Sequence, residues 1–194
     1  MDSQTIVKLR NMTGAGMLDC KKALEETGGD IEKAIDYLRK KGEVKAAKKS
    51  AERNASEGII HAYIHGGGKV GVLLQLNCET DFVAKNEEFK NLAHNLAMHI
   101  AALNPSYVKP EDIPEGELER EKDIYNEQLK AEGKPKNIID KILDGKVAKY
   151  YEEVCLLNQP YIKDDKKKVE QIIAEAIAKI GEKIEVARFV RYQI

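Results

Sequence analysis

The feature that most restricts this chain is a change of hydropathy period in its middle. Ile60, Ala62 and Ile64 alternate with His61, Tyr63 and His65. Gly66-Gly67-Gly68-Lys69 follows, and then Val70, Val72, Leu74, Leu76 and Cys78 alternate again. A period of two puts every second side chain on one face of a strand, so two such runs joined by a glycine turn specify a β-hairpin. An isolated hairpin is marginal, and the β-rich run KIEVARFVRYQI at 183–194 is the expected third strand. The remaining apolar residues recur at helical spacing, which makes the expected class α+β with an antiparallel sheet.

Before the hairpin, three short helices are punctuated by glycine. Ile6, Leu9 and Met12 follow a Ser3 cap and stop at Thr13-Gly14-Ala15-Gly16. Met17, Cys20 and Leu24 share a face that ends at Gly28-Gly29. Asp30 caps a third helix, with Ile31, Ala34, Ile35 and Leu38 on one side and Gly42 as its end. Such a bundle has a thin core. The stretch RKKGEVKAAKKSAER at 39–53 carries seven basic and two acidic residues and reads as a solvated helical linker, since no aromatic residue interleaves its charges to stack on bases. Residues 1–53 are thus expected to form one domain with its linker, and 54–194 an α+β core.

After the hairpin, Asn86 caps a helix with Phe89, Leu92, Ala93, Leu96, Ile100 and Leu103 on one face, closed by Asn104-Pro105. Residues 115–155 are dense in charge. Two stretches, Glu115 to Ala131 and Pro135 to Tyr151, flank Gly133 with apolar stripes (Leu118, Ile124, Leu129; Ile138, Ile142, Val147) too narrow to be core, which predicts an antiparallel helical hairpin inserted in the chain of the α+β core and projecting from its body. Val169, Ile172, Ile173, Ala176, Ile177 and Ile180 then predict a core helix ending at Gly181.

Composition narrows the function. Lys plus Arg number 32 against 33 for Asp plus Glu, a net charge of −1, so no overall basic field exists to hold nucleic acid or an anionic membrane. Cys20, Cys78 and Cys155 form neither a disulfide framework nor a C-x-x-C pair, and suit a reducing cytoplasm. Neither a signal peptide nor an apolar span is visible, so a soluble protein is expected. Gly66-Gly67-Gly68-Lys69 is no phosphate loop, because it joins two strands and Val70 replaces the hydroxyl residue. His61, His65, His94 and His99 have no metal-ligand spacing; His99 falls at the margin of the apolar stripe and His94 toward solvent. No nucleophile or paired-carboxylate motif argues for an enzyme, and no cofactor or metal is expected.

One segment stands apart, Asn77-Cys78-Glu79-Thr80-Asp81-Phe82-Val83-Ala84-Lys85-Asn86. An apolar strand runs into Thr-Asp-Phe just before a helix cap. Either a carboxylate and an aromatic ring are presented together on a short connection, or Asp81 caps a turn and Phe82 tucks into the core. Spacing alone leaves both readings open.

The block Thr13-Gly14-Ala15-Gly16-Met17-Leu18-Asp19-Cys20-Lys21-Lys22-Ala23-Leu24, followed by Gly29-Asp30-Ile31 and Lys45-Ala46-Ala47-Lys48-Lys49, resembles the N-terminal domain of the bacterial elongation factor Ts family. Asn77 to Lys85 is similar to that family's second signature, and the likeness continues through Lys109-Pro110-Glu111-Asp112, Gly133-Lys134-Pro135-Lys136 and Gln159-Pro160-Tyr161. The resemblance implies a ubiquitin-associated-like helical domain, an α+β core and a coiled-coil hairpin. It further implies a guanine nucleotide exchange factor that binds elongation factor Tu and speeds GDP release. In this likeness Thr80, Asp81, Phe82 and Val83 disturb the partner's Mg²⁺ site, and Met17, Leu18 and Lys21 grip its GTPase domain; the alternative for these three is local packing. Many members carry two core modules and this chain shows one, so it resembles the short form. A single module, with a C-terminal strand leaving a sheet edge to be paired, predicts a two-fold homodimer. No direct nucleotide, nucleic-acid or membrane binding is expected. The runner-up function is a non-catalytic adaptor whose three-helix domain binds a ubiquitin-like or helical peptide partner.

Overall fold

A computed structural model describes residues 2–133 and 135–194, apart from the side chains of residues 136 and 137. Lys134, within the Gly133–Lys136 stretch of the resemblance, lies outside the described residues. The chain divides into two compact units. One holds the residues up to His61 with Gln75–Ala93 and Gln171–Val186; the other holds Ala62–Leu74, His94–Glu170 and Ala187–Ile194.

The first unit begins with α1 (Ser3–Thr13), α2 (Met17–Glu26) and α3 (Ile31–Glu52). The cap of α1 is Asp2 rather than Ser3: its carboxylate accepts from Gln4 N–H at 3.1 Å and also faces the positive end of the helix dipole. Gly14, at φ 69°, closes α1 by donating its N–H to Arg10 O. Leu9, Cys20, Ala23, Leu24 and Ala34 form the buried centre, with Ile6, Ala15, Ile31, Ile35, Tyr37 and Leu38 packed around it. The bundle is compatible with a ubiquitin-associated-like domain.

Gly42 does not end α3. The helix runs ten residues further, because a glycine inside it costs only about 1 kcal/mol relative to alanine and allows close packing. A Cβ at Gly42 would lie 3.3 Å from the Ala178 Cβ. Ala46 is buried and the Lys49 ammonium donates to Gly181 O at 2.6 Å, so the basic stretch is a packed helix on one side rather than a solvated linker.

The predicted hairpin is present as β1 (Glu57–His65) and β2 (Val70–Cys78), joined by a turn in which Gly66, Gly67 and Gly68 all have positive φ. Next come α4 (Asp81–Ala84) and α5 (Glu87–Leu103), the latter entered through Asn86, whose side chain accepts from Glu88 N–H at 2.8 Å. Then follow α6 (Glu115–Ala131), α7 (Lys136–Val154), β3 (Pro160–Tyr161), β4 (Asp164–Lys168), α8 (Val169–Ile180) and β5 (Ile184–Gln193). The C-terminal run does supply the third strand, in the order β1-β2-β5. The small antiparallel pair β3-β4 was not legible, since Asp-Asp-Lys-Lys-Lys has no alternation of polarity.

In the second unit, α6 and α7 form the expected hairpin. The buried positions of its seam include Leu129 and Ile139, whereas Ile124 and Ile138 of the predicted stripe are exposed; moving one residue turns a helix by about 100°. At the hairpin's base, the hydroxyls of Tyr107 and Tyr150 both donate to Glu117 at 2.7 Å, and the Ser106 and Tyr107 amides both donate to Val154 O. His99 is not a boundary residue but fully buried. Its Nδ1 accepts from Ile162 N–H at 3.2 Å, which leaves Nε2 to donate to Gln159 Oε1 at 2.9 Å, and burial pushes its pKa down. His94 is exposed as expected, its ring edge-on to Tyr63.

These bonds at the base set an excision limit. Cys155 is fully buried and bridges Tyr107, so a deletion should stop before Val154. Replacing residues 115–153 with a short glycine linker is expected to leave one cooperative melting transition. Loss of cooperativity would show that the hairpin is a core element.

Candidate functional site

The alternating residues Val72, Leu74, Leu76 and Cys78 are all buried, which fixes the end of β2. The Cys78 thiol donates to Thr80 O at 3.2 Å, and burial pushes its pKa up to about 11. It is therefore a packed thiol and no nucleophile at neutral pH. Three residues later the single turn α4 begins. Thr80 is its N-cap, the hydroxyl oxygen accepting from Val83 N–H at 3.4 Å. Ala84 anchors the inner side, and Phe82 is left outward and 81% exposed. Of the two readings, the buried one is thus excluded: the ring is presented to solvent. Beside it Asp81 pairs with Lys85 at 2.6 Å, and that bond holds its carboxyl below the usual range.

Two carboxylates buttress the entry to this turn. Glu182 accepts from Glu79 N–H (3.1 Å), Thr80 N–H (3.0 Å) and the Thr80 hydroxyl (2.7 Å). Glu79 in turn accepts from Lys183 N–H at 2.6 Å and from the Arg53 guanidinium at 3.1 and 3.2 Å, and the Lys183 amide is the largest cause of its lowered pKa. Sequence reasoning missed Glu182, Lys183 and Arg53. No local pattern could have found them, because their partners lie far along the chain.

Met17, Leu18 and Lys21 sit on the first turns of α2. Cys20, Ala23 and Leu24 face the bundle centre, and Asp19 is tied to Lys41 (3.2 Å) and Lys45 (3.0 Å) of α3. What remains outward is Leu18, 77% exposed, with Met17 at 38% and Lys21 paired to Glu25. The packing alternative therefore does not describe Leu18. The two groups of candidates lie on separate elements, one on α2 and one at α4. Among the described residues no His, Cys, Asp or Glu cluster could hold a metal ion, and no helix is long and apolar enough to cross a membrane.

The charges predict a pH response in two stages. Buried His99 has a depressed pKa, so below about 6.5 the unfolded imidazole takes a proton that the folded one refuses, and stability falls. Asp19, Glu79 and Asp81, held low chiefly by Lys45, the Lys183 amide and Lys85, stabilise the fold above their unfolded values near 4. That contribution is lost as the pH drops through their lower folded values. The urea midpoint should fall between pH 7 and 5 and again below about pH 4; an unchanged midpoint at pH 3 would contradict this.

The family model described as elongation factor TS matches residues 8–194. An elongation factor Ts of Thermotoga petrophila is 60% identical over 97% of this chain and 94% of its own length. Those of Moorella thermoacetica and Desulforamulus reducens are 59% and 55% identical, over 96% and 100% of this chain and 91% and 89% of their lengths. The chain belongs to the elongation factor Ts family, and is accordingly an elongation factor of protein synthesis. These relatives are of nearly the same length as this chain.

Proposed function

We propose that the chain is a guanine nucleotide exchange factor for elongation factor Tu. Thr80, Asp81, Phe82 and Val83 are set against the groups that orient the partner's Mg²⁺, and Met17, Leu18 and Lys21 grip its GTPase domain. In this division of labour residues 1–53 serve as the gripping module and 54–194 as the core that carries the wedge. The carrying observation is Phe82, a large apolar ring held in solvent on a one-turn helix with a fixed entry. Family membership supports the partner. The action is one of binding, with no covalent step: if the factor weakens GDP on its partner, GDP must weaken the factor by the same ratio. Each tenfold of faster release takes about 1.4 kcal/mol from the barrier, which contacts formed best in the opened partner can supply. Adding the chain to elongation factor Tu loaded with fluorescent GDP should accelerate release, and the chain alone should show no micromolar GDP binding. No acceleration, or GDP binding by the isolated chain, would refute the proposal.

The proposed assembly is a two-fold homodimer. Tyr63 touches His94 of α5 and the Arg191 guanidinium donates to Ala101 O, so these strand residues face α5. Ile64, Val190 and Tyr192 then face away, and Ile64 covers Gly71, which puts Leu73 on the same face. All four large residues are exposed. An exposed apolar face next to the sheet edges fits a second copy of the chain. Light scattering should report twice the 21.8 kDa chain mass, and Leu73→Glu should halve it. A parent protein that stays monomeric, alone and with its partner, overturns the dimer.

A further inference from the structure

The geometry points to Glu182 as the positioning residue of the Asp81–Phe82 wedge, an inference that rests on the exchange reading above. A helix of one turn cannot hold itself, since nucleation costs more than its few bonds return. At the exit from β2 the Glu79 and Thr80 amides both need an acceptor. Glu182 Oε2 accepts from both, at 3.1 and 3.0 Å. Its Oε1 takes the only proton of the Thr80 hydroxyl, at 2.7 Å, which turns a lone pair of that oxygen toward Val83 N–H. One carboxylate thereby sets both the backbone entering α4 and the cap that starts it.

The hold is reciprocal. Glu79 accepts from the amide of Lys183, next to Glu182, so the turns at 79–80 and 182–183 each place a carboxylate on the other's amides. Arg53, the C-cap of α3, closes on Glu79, and Lys49 on Gly181 O. The segment 181–183 is thus fixed from α3 as well as from the wedge. A ring that must displace a partner's metal-orienting groups works only if its support yields less than they do. Glu182 supplies that stiffness through the Glu79 and Thr80 amides and the Thr80 cap, so its effect falls on the release step rather than on association.

The test is Glu182→Gln, which keeps the size but turns an amide N–H₂ toward one of the donors. The maximal rate of GDP release from elongation factor Tu should fall about tenfold, equivalent to about 1.4 kcal/mol, with the half-saturating factor concentration changed less than twofold. A purely structural role would lower the folded fraction, raising the half-saturating concentration and sparing the maximal rate; that pattern overturns the assignment. In the free chain, hydrogen exchange at the Glu79 and Thr80 amides should quicken about tenfold. Unchanged protection there overturns the assignment whatever the exchange activity. If Glu182→Gln does not fold, Glu182→Asp gives the same two readings with smaller losses, and no loss in either overturns it. A parent chain that fails to accelerate GDP release from elongation factor Tu defeats the exchange reading instead, and amide protection on the free chain keeps the two failures apart.

Discussion

Phe82→Ala is expected to slow GDP release from elongation factor Tu about thirtyfold while the free protein melts almost as before. An aromatic anchor in an interface costs about 2 kcal/mol or more when truncated, and 1.4 kcal/mol is a factor of ten. Phe82 is 81% exposed, so its removal leaves no cavity. Exposed positions cost within about 0.5 kcal/mol, or about 2 °C or less in a chain of this size. Phe89 is the contrast: fully buried on α5, its truncation should cost roughly 3 to 5 kcal/mol and lower activity only through unfolding. Melting curves and release rates on the same preparations separate the two effects. Release by Phe82→Ala within twofold of the parent would remove the wedge from the mechanism.

What could be read from the sequence follows the range of the interaction concerned. The β1-β2 hairpin, the Asn86 cap of α5 and the apolar side of α8 are local patterns, and all are present. Gly42 misled because its stop signal is local while its reason for being glycine, the Ala178 methyl group, is distant. His99 misled for the same cause: a histidine at the margin of a stripe reads as half-exposed until Gln159 and Ile162 supply partners that allow full burial. At the candidate site, the Thr-Asp-Phe segment was visible as a motif but its exposure was not. Whether Phe82 faced in or out depended on the direction Ala84 and the Thr80 cap impose on a single turn. Glu182 could not be found at all, since a carboxylate after a glycine is an ordinary helix exit until the amides it serves are known.

Gly58→Ala should destabilise the protein by about 3 kcal/mol or more, although it adds one methyl group at the start of a strand. The backbone there has φ +150°, a conformation an L side chain rarely adopts, which alone costs on the order of 1–3 kcal/mol. The added Cβ would also lie 2.2 Å from Leu76 O and 2.8 Å from Asn77 Cα. Both are backbone atoms of β2, so no side chain can rotate to make room, and the strands must separate where they pair. For a chain of this length the melting temperature should drop roughly 6 to 12 °C. Gly67 is the control: it too has positive φ, yet nothing lies within 4 Å of its Cβ position, and Gly67→Asn should cost less than about 1 kcal/mol because asparagine tolerates that region. The damage at Gly58 should also reach function. Asn77, whose side chain donates to Ala55 O, is followed by Cys78 and then by the Glu79 and Thr80 amides held by Glu182. A shift of Asn77 therefore moves the entry to α4, and GDP release should slow even at temperatures where Gly58→Ala is fully folded. A variant that melts within 2 °C of the parent would mean that β1 and β2 do not approach this closely, and the fixed entry to the wedge would lose its base.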